Sequence, residues 1–165
     1  MLLLFIGPSG SGKSSVARLI AQRIGCKVWT GRDYLRLARS QDEAKKTFRD
    51  MLESASELET FSAGSIIYVI GNPDDLDDDL RAFPCYRCLR FNAVLSVLSR
   101  RFAQRMGQQP LPAALLSALE RQRNRFAAFP ADKEFDTTNA DAASTASEVL
   151  DWCIGEAKGA QQVQR

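Results

Sequence analysis

Histidine is absent from this 165-residue chain, and cysteine is scarce, occurring only at Cys26, Cys85, Cys88 and Cys153. The closest two, in CYRC at 85–88, have no second pair and no histidine to complete a zinc site, which argues against a metal or redox role. They fall in an apparent strand, where side chains three positions apart face opposite sides of the sheet. We therefore expect buried, reduced thiols.

Long apolar runs and a marked charge excess are also missing. No stretch reaches membrane-spanning length, and the opening MLLLFIG lacks the basic lead-in and cleavage site of a signal peptide. Lysine plus arginine number 22 against 20 for aspartate plus glutamate, too small a surplus for a dedicated nucleic-acid or membrane-surface binder. We expect a cytoplasmic monomer or homodimer without membrane or nucleic-acid partners.

Short apolar runs alternate with amphipathic stretches along the whole chain. Apolar clustering predicts strands at 2–7, 27–30, 65–71, 85–91 and 134–138. Helical spacing predicts helices at 13–24, 44–58, 94–106, 111–126 and 146–157. This order is typical of a doubly wound α/β domain with a parallel sheet and helices on both faces. We place one domain at residues 1–160 and a frayed tail at 161–165.

The stretch GPSGSGKSS (7–15) separates the first predicted strand from the first helix and fits the pattern G-x-x-x-x-G-K-S. Backbone N–H groups of such a loop, with those of the helix N-terminus, surround phosphate oxygens. We predict that Lys13 reaches the β- and γ-phosphates of ATP and that the Ser14 hydroxyl binds Mg²⁺. The predicted nucleotide-binding residues of this loop are Ser9, Gly10, Ser11, Gly12, Lys13, Ser14 and Ser15.

Three segments resemble small P-loop kinases. GPSGSGKSSVARLIAQRIGCKVWTGRDYLRLA (7–38) resembles the start of cytidylate and adenylate kinases, including their Thr-Gly turn at Thr30 and Gly31. RRFAQRMGQQPLPAALLSALERQ (100–122) resembles the lid and following helix of gluconate kinases, and FDTTNADAASTASEVL (135–150) is similar to the adenine-holding loop and last helix of the superfamily. The resemblance implies a five-stranded parallel sheet in the order 2-3-1-4-5, ATP and Mg²⁺ as cofactors, a nucleotide contact at Asn139 and a mobile lid at about 100–116.

Arg101 and Arg105 match the Arg-x-x-x-Arg spacing of the resembled lid. They stand one helical turn apart, so both guanidinium groups can descend on the phosphates of ATP. A solvated helix face is the alternative, and it stays open here. The other helical arginines need no ligand to explain them: Arg49, Arg121, Arg123 and Arg125.

The acceptor side departs from the resembled kinases. Where adenylate kinases have an Asp before Gly-x-Pro-Arg, VIGNPD (69–74) has Ile70 in place of that Asp and Asp74 in place of the Arg. We expect Asp74 to repel a phosphorylated acceptor. Asp33 is the only carboxylate in WTGRDYLR (29–36); it either orients the attacking hydroxyl, with Arg32 or Arg36 holding an anionic group, or merely favours a helix dipole.

Together these features predict an ATP-dependent phosphotransferase that moves the γ-phosphate to a small hydroxyl-bearing metabolite, as in shikimate and gluconate kinases. The predicted catalytic residues are Lys13, Arg101, Arg105 and Asp33. A nucleoside-monophosphate kinase is the first alternative, and an ATP-binding regulator or slow ATPase without an acceptor is the second.

Overall fold

The structure is a computed structural model that describes residues 1–75, 80, 83, 84 and 86–163, with side chains as far as residue 155. Cys85 and most of the acidic run that follows Asp75 lie outside the described residues.

Five parallel strands form one sheet in the order β2-β3-β1-β4-β5, as predicted. The strands are β1 (Leu2–Ile6), β2 (Lys27–Thr30), β3 (Ile66–Ile70), β4 (Tyr86–Asn92) and β5 (Lys133–Asp136). The helices are α1 (Lys13–Ile24), α2 (Gln41–Ser56), α3 (Leu95–Met106), α4 (Ala113–Ala128) and α5 (Ala142–Val163). Two short 3₁₀ turns, Asp33–Leu37 and Pro73–Asp75, follow β2 and β3.

The central strand β1 is buried at every position because helices cover both faces of the sheet. Leu3 and Phe5 pack with α1 and α5 on one face. Leu4 and Ile6 pack on the other face with Phe48 of α2 and with α4. This alternation follows from the two-residue period of a strand, and it directs the end of β1 into the middle of the domain.

Two helices begin before the predicted positions because polar side chains cap them. The Ser40 hydroxyl accepts a hydrogen bond from the Glu43 N–H at 3.2 Å, which starts α2 at Gln41. The Asp141 carboxylate accepts one from the Ser144 N–H at 2.7 Å, which starts α5 at Ala142. Ser40 and Glu43 have the spacing of a capping box, a local pattern that marks this start in the sequence.

The side chain of Arg90 fastens the C-terminal end of α4 to β4. Its Nη1 lies 3.1, 2.7 and 3.0 Å from the carbonyl oxygens of Phe126, Ala127 and Phe129. Its Nε pairs with Glu134 of β5 at 3.0 Å. Carbonyls at a helix end have no partner within the helix, so this arginine supplies one and holds α4 in place.

Two expectations from the sequence concern the thiols and the C-terminal segment. Cys26, Cys88 and Cys153 are buried, as expected. Helix α5 extends to Val163, and the fraying expected of residues 161–165 stays a prediction. Among the described residues, no helix is long and apolar enough to cross a membrane, and no His, Cys, Asp or Glu cluster is arranged to hold a metal ion.

Candidate functional site

The glycine-rich loop leaves the C-terminal end of β1 and enters α1 at Lys13. Gly7 has a φ of 146°, and a Cβ there would lie 2.1 Å from the Phe91 carbonyl oxygen. Gly10 has a φ of 84°, and its Cβ would lie 2.7 Å from the Leu98 carbonyl oxygen. Glycine is therefore required at both positions for the loop to pack against β4 and α3.

Gly12 also has a φ of 84°, but no atom lies within 4 Å of a Cβ built there. It precedes α1 without a side-chain cap, and the first turn of the helix carries no acidic residue. The positive end of the α1 dipole thus faces open space beside the loop. Such a helix end attracts phosphate oxygens.

A cleft of about 350 Å³ occupies that space. The loop and the first turn of α1 form one side, while α3 and the segment between β5 and α5 form the rest. The residues that line it are Gly10, Gly12, Lys13, Ser14, Ser15, Val16, Arg101, Arg105, Thr137, Ala140, Asp141, Ala142 and Thr145.

The Lys13 side chain is enclosed at the floor of the cleft, with 6% of its surface exposed. Its ammonium group donates to the Pro8 carbonyl oxygen at 3.0 Å. Burial, together with the nearby charge of Arg105, lowers the pKa of Lys13 to about 7. An anionic ligand in the cleft favours the protonated form, so phosphate binding and protonation of Lys13 are coupled.

Arg101 and Arg105 both line the cleft, but their surroundings differ. Arg101 is half-buried, and its Nη2 donates to the Thr137 carbonyl oxygen at 2.9 Å. Its Nη1 lies 3.2 Å from the Thr137 hydroxyl and 3.4 Å from the Gly10 carbonyl oxygen. Arg105 is exposed and rests over the Phe102 ring at 5.1 Å. Arg101 is therefore bound to the walls of the cleft, whereas the Arg105 guanidinium has room to approach a ligand.

Thr137 is a site residue that the sequence analysis did not single out. The residue is 3% exposed, and its hydroxyl lies 3.0 Å from the carbonyl oxygens of both Ser11 and Asn92. Thr137 thus connects Arg101 and the end of β4 to the glycine-rich loop (7–12), called the phosphate loop below. The Ser11 hydroxyl beside it is buried without a hydrogen-bond partner. The segment 135–150 was compared with an adenine-holding loop, but the role of Thr137 could not be read locally, because its partners lie far away in the sequence.

Three predicted nucleotide contacts do not line the cleft. Asn139 is exposed outside it, although the two residues that follow do line it. Ser9 lines another cavity, where its backbone N–H donates to Oε1 of Gln122 in α4 at 2.8 Å. Ser11 is fully buried. The roles predicted for these three residues stay predictions.

A second cavity, of about 540 Å³, lies between the C-terminal end of β3, the turn after β2 and α2. Among the residues that the structure describes, four cationic side chains line it against two carboxylates, those of Asp74 and Asp75. Phe48 forms part of its wall, stacked on Tyr34 at 4.9 Å and edge-on to Tyr68 at 5.1 Å. The cationic residues are Arg32, Lys45, Lys46 and Arg49.

Asp74 forms an ion pair with Arg125, a partner that was not predicted from the sequence. Its Oδ1 lies 2.5 Å from Nη2 of Arg125 in α4. The hydrogen bond and charge of Arg125 hold the pKa of Asp74 below its usual range. The positive charge of Arg125 weakens any repulsion of a phosphorylated acceptor by Asp74, and the repulsion expected from the sequence stays a prediction.

Asp33 does not line the cavity that contains Arg32. Its carboxylate accepts a hydrogen bond from the Thr30 hydroxyl and lies 3.4 Å from the Arg36 guanidinium. With Arg36 it lines a surface hollow along β2 instead. Trp29, which lines the same hollow, packs edge-on against Phe48 at 5.4 Å at the border of the core.

Comparisons with known proteins agree with this geometry. The sequence model of the ATPase family associated with various cellular activities (AAA) matches residues 3–82. No curated protein matches the sequence. The shikimate kinase of Aquifex aeolicus is a structural neighbour with a TM-score of 0.59 and 17% identity, over 96% of this chain and 99% of that chain. The gluconokinase of Sinorhizobium meliloti has a TM-score of 0.61 and 18% identity, over 99% of this chain and 97% of that chain.

A third structural neighbour is the shikimate kinase of Acinetobacter baumannii in complex with shikimate, with a TM-score of 0.61 and 18% identity, over 94% of this chain and 93% of that chain. This chain has the fold of the small P-loop kinases. The resemblance to small P-loop kinases that was stated from the sequence is confirmed as a resemblance in fold.

Within the P-loop kinase fold, most of the predicted phosphate-side residues come together. Lys13, Ser14, Arg101 and Arg105 share one cleft with the glycines of the loop. The segment predicted to be a lid begins in α3 and reaches α4, and Arg101 ties its first part to Thr137. Its mobility stays a prediction.

Proposed function

We propose that the protein is an ATP-dependent phosphotransferase that moves the γ-phosphate to a small hydroxyl-bearing metabolite. The observation that carries the proposal is the cleft in which Lys13, the α1 N-terminus and Arg105 converge. Positive groups of this kind stabilise the oxygens that gain charge during phosphoryl transfer. A second, cationic cavity at the ends of the neighbouring strands supplies a place for the acceptor.

On the nucleotide side, Lys13 and the loop amides hold the phosphates, and Arg105 approaches the group in transfer. Arg101 shapes the cleft through its bonds to Thr137. Ser14 and Ser15, in the first turn of α1, both line the cleft, and the Ser14 hydroxyl fits a Mg²⁺ ion whose other ligands would be phosphate oxygens and water. Ile70 is buried at the end of β3, so this strand end adds no carboxylate to the metal.

On the acceptor side, Arg32, Lys45 and Lys46 favour a metabolite that carries an anionic group beside its hydroxyl. The neighbouring structure in complex with shikimate supports an acceptor of this kind. We propose that Asp33 orients the hydroxyl only after the turn that contains it moves, because its carboxylate is engaged with Thr30 and Arg36.

A nucleoside monophosphate is the second candidate acceptor. The pairing of Asp74 with Arg125 reduces the repulsion that disfavours a phosphorylated acceptor. The stacked rings of Tyr34 and Phe48 in the cavity wall offer an aromatic surface to a base.

Calorimetry with ATP and Mg²⁺ tests the nucleotide site first. We expect binding by the wild-type protein and its loss in Lys13→Met, whereas Lys133→Met, which removes an exposed lysine of β5, binds normally. Equal binding by the wild type and Lys13→Met would contradict the proposed cleft.

Turnover with a panel of hydroxy acids, including shikimate and gluconate, and of nucleoside monophosphates then identifies the acceptor. A phosphorylated hydroxy acid, detected by mass spectrometry, supports the first candidate, and a nucleoside diphosphate supports the second. Tight ATP binding without transfer to any acceptor would contradict the proposed kinase activity and favour a nucleotide-binding regulator. Replacing Lys45 and Lys46 by Met should raise the KM of the acceptor while leaving that of ATP unchanged.

A further inference from the structure

Gln122 of α4 joins two backbone segments that approach the transfer site from different strands. Its Oε1 accepts the hydrogen bond from the Ser9 N–H of the phosphate loop at 2.8 Å. Its Nε2 donates to the Gly71 carbonyl oxygen, directly after β3, at 2.5 Å. The oxygen and the nitrogen of one side-chain amide are therefore both hydrogen-bonded to main-chain groups, which cannot rotate away as side chains do.

The bridge lies where the sheet stops holding these segments together. Strands β1 and β3 pair in parallel as far as Ile6 and Ile70. Beyond that pair, the chain turns into the phosphate loop on one side and into residues 71–75 on the other. Gln122 connects the two segments beyond the last hydrogen-bonded pair of β1 and β3.

Helix α4 is itself connected to β4 and to the segment after β3. Arg90 binds the carbonyl oxygens at its C-terminal end, within 3.1 Å. Arg123 donates to the Asn92 side chain at 3.2 Å, and Arg125 pairs with Asp74 at 2.5 Å. Gln122 therefore lies next to Arg123, which contacts β4, and three residues before Arg125, which contacts segment 71–75.

A cavity of about 410 Å³ lies against the bridge. Ser9, Asn72, Arg121, Gln122 and Arg125 line it. The bridge is therefore placed between the loop that carries the phosphate and the segment that begins the acceptor side.

We infer that Gln122 is a positioning residue that sets the separation of the phosphate loop from the acceptor-side segment 71–75. This inference rests on the proposed function. Phosphoryl transfer depends on alignment of donor and acceptor, and a displacement of about 1 Å can reduce the rate roughly 100-fold. Loss of the bridge should therefore act on kcat, while the remaining loop amides and Lys13 still bind ATP.

The test compares Gln122→Met, which keeps the length of the side chain and removes both hydrogen bonds, with Asn124→Leu. Asn124 is an exposed amide on the same helix, two residues away. Each variant is measured for hydrogen exchange of the Ser9 amide, for ATP affinity by calorimetry, and for kcat with the best acceptor from the panel. Chemical denaturation of both variants shows whether they are folded.

In Gln122→Met we expect Ser9 exchange about tenfold faster or more, kcat reduced about 10- to 100-fold, and ATP affinity within about threefold of wild type. Asn124→Leu should leave all three unchanged. Unchanged Ser9 exchange in Gln122→Met would show that the bridge does not hold the loop, and faster exchange with normal kcat would show that the bridge does not position it for transfer. Either result overturns the inference while the proposed function stands. Wild-type protein that transfers no phosphate overturns the proposed function and this inference together.

Discussion

Arg101 is bound to Thr137 through both the carbonyl oxygen, at 2.9 Å, and the hydroxyl, at 3.2 Å. This contact joins α3 to the end of β5 across the nucleotide cleft. One turn later, Arg105 is exposed and lines the same cleft. Two arginines on one helical face thus have different physical tasks.

Replacing each arginine by Met should separate these tasks. Arg101→Met breaks hydrogen bonds to a half-buried cation, and we expect a loss of about 1.5–3 kcal/mol in the free energy of unfolding. Arg105→Met should leave that free energy within about 0.5 kcal/mol, because its side chain is exposed, and lower kcat at least tenfold. Urea denaturation and steady-state kinetics measure the two effects. Equal stability losses would show that the two side chains are held alike.

Thr137→Val should destabilise the protein by about 1–3 kcal/mol, because the Ser11 carbonyl oxygen loses this hydroxyl donor and Arg101 loses one acceptor. The Asn92 carbonyl oxygen keeps the Thr137 backbone N–H, at 2.8 Å. The substitution should also weaken ATP binding, since the phosphate loop loses one of its attachments. Thr137→Ser keeps the hydroxyl and serves as the matched control. Urea denaturation of both variants measures the difference, and a valine variant as stable as the serine variant would contradict the assigned role.

Binding of ATP should take up a proton above neutral pH. In the free protein the pKa of Lys13 is lowered to about 7 by burial and by the charge of Arg105, so most Lys13 side chains are neutral at pH 8. The phosphates raise that pKa, and Lys13 then gains a proton from solution. Calorimetry in two buffers with different ionisation enthalpies should show uptake approaching one proton at pH 8 and little at pH 6.

The Arg105→Met variant provides the control for this proton uptake. Removing the Arg105 charge raises the pKa of free Lys13, so the uptake should begin at higher pH than in the wild type. An uptake independent of pH between 6 and 8, in either protein, would assign the proton to another group.

The variant Asp33→Asn tests whether Asp33 takes part in the chemistry. If its carboxylate orients the acceptor hydroxyl, kcat should fall at least 100-fold with little change in ATP affinity. A variant that turns over normally removes Asp33 from the mechanism and leaves it as a partner of Thr30 and Arg36. Arg36→Met is the companion variant, because it frees Asp33 from its ion pair without removing the carboxylate.

Much of the architecture was predictable because it depends on neighbours in the sequence. The apolar run LLLFI marks a strand buried on both faces, and the helical spacing in KSSVARLIAQRI marks a helix with one buried face. The alternation of such strands and helices predicts a parallel sheet, whereas the order of its strands followed from the resemblance to small P-loop kinases. The phosphate loop was predictable for the same reason, since its glycines, Lys13 and Ser14 act within nine consecutive residues. The start of α2 was also available locally, in the capping box of Ser40 and Glu43.

The partners of charged and amide side chains were decided by the tertiary structure. Asp74 and Arg125 lie 51 residues apart, and the pairing that neutralises them depends on where α4 crosses the end of β3. Gln122 likewise meets Ser9 across 113 positions, although nothing in its own neighbourhood distinguishes it from a surface glutamine. Sequence by itself determined the elements, their order and the phosphate loop, because those follow from local geometry and the burial of apolar faces. Only the packed domain decided which polar groups meet around that loop, because such contacts require distant segments to converge.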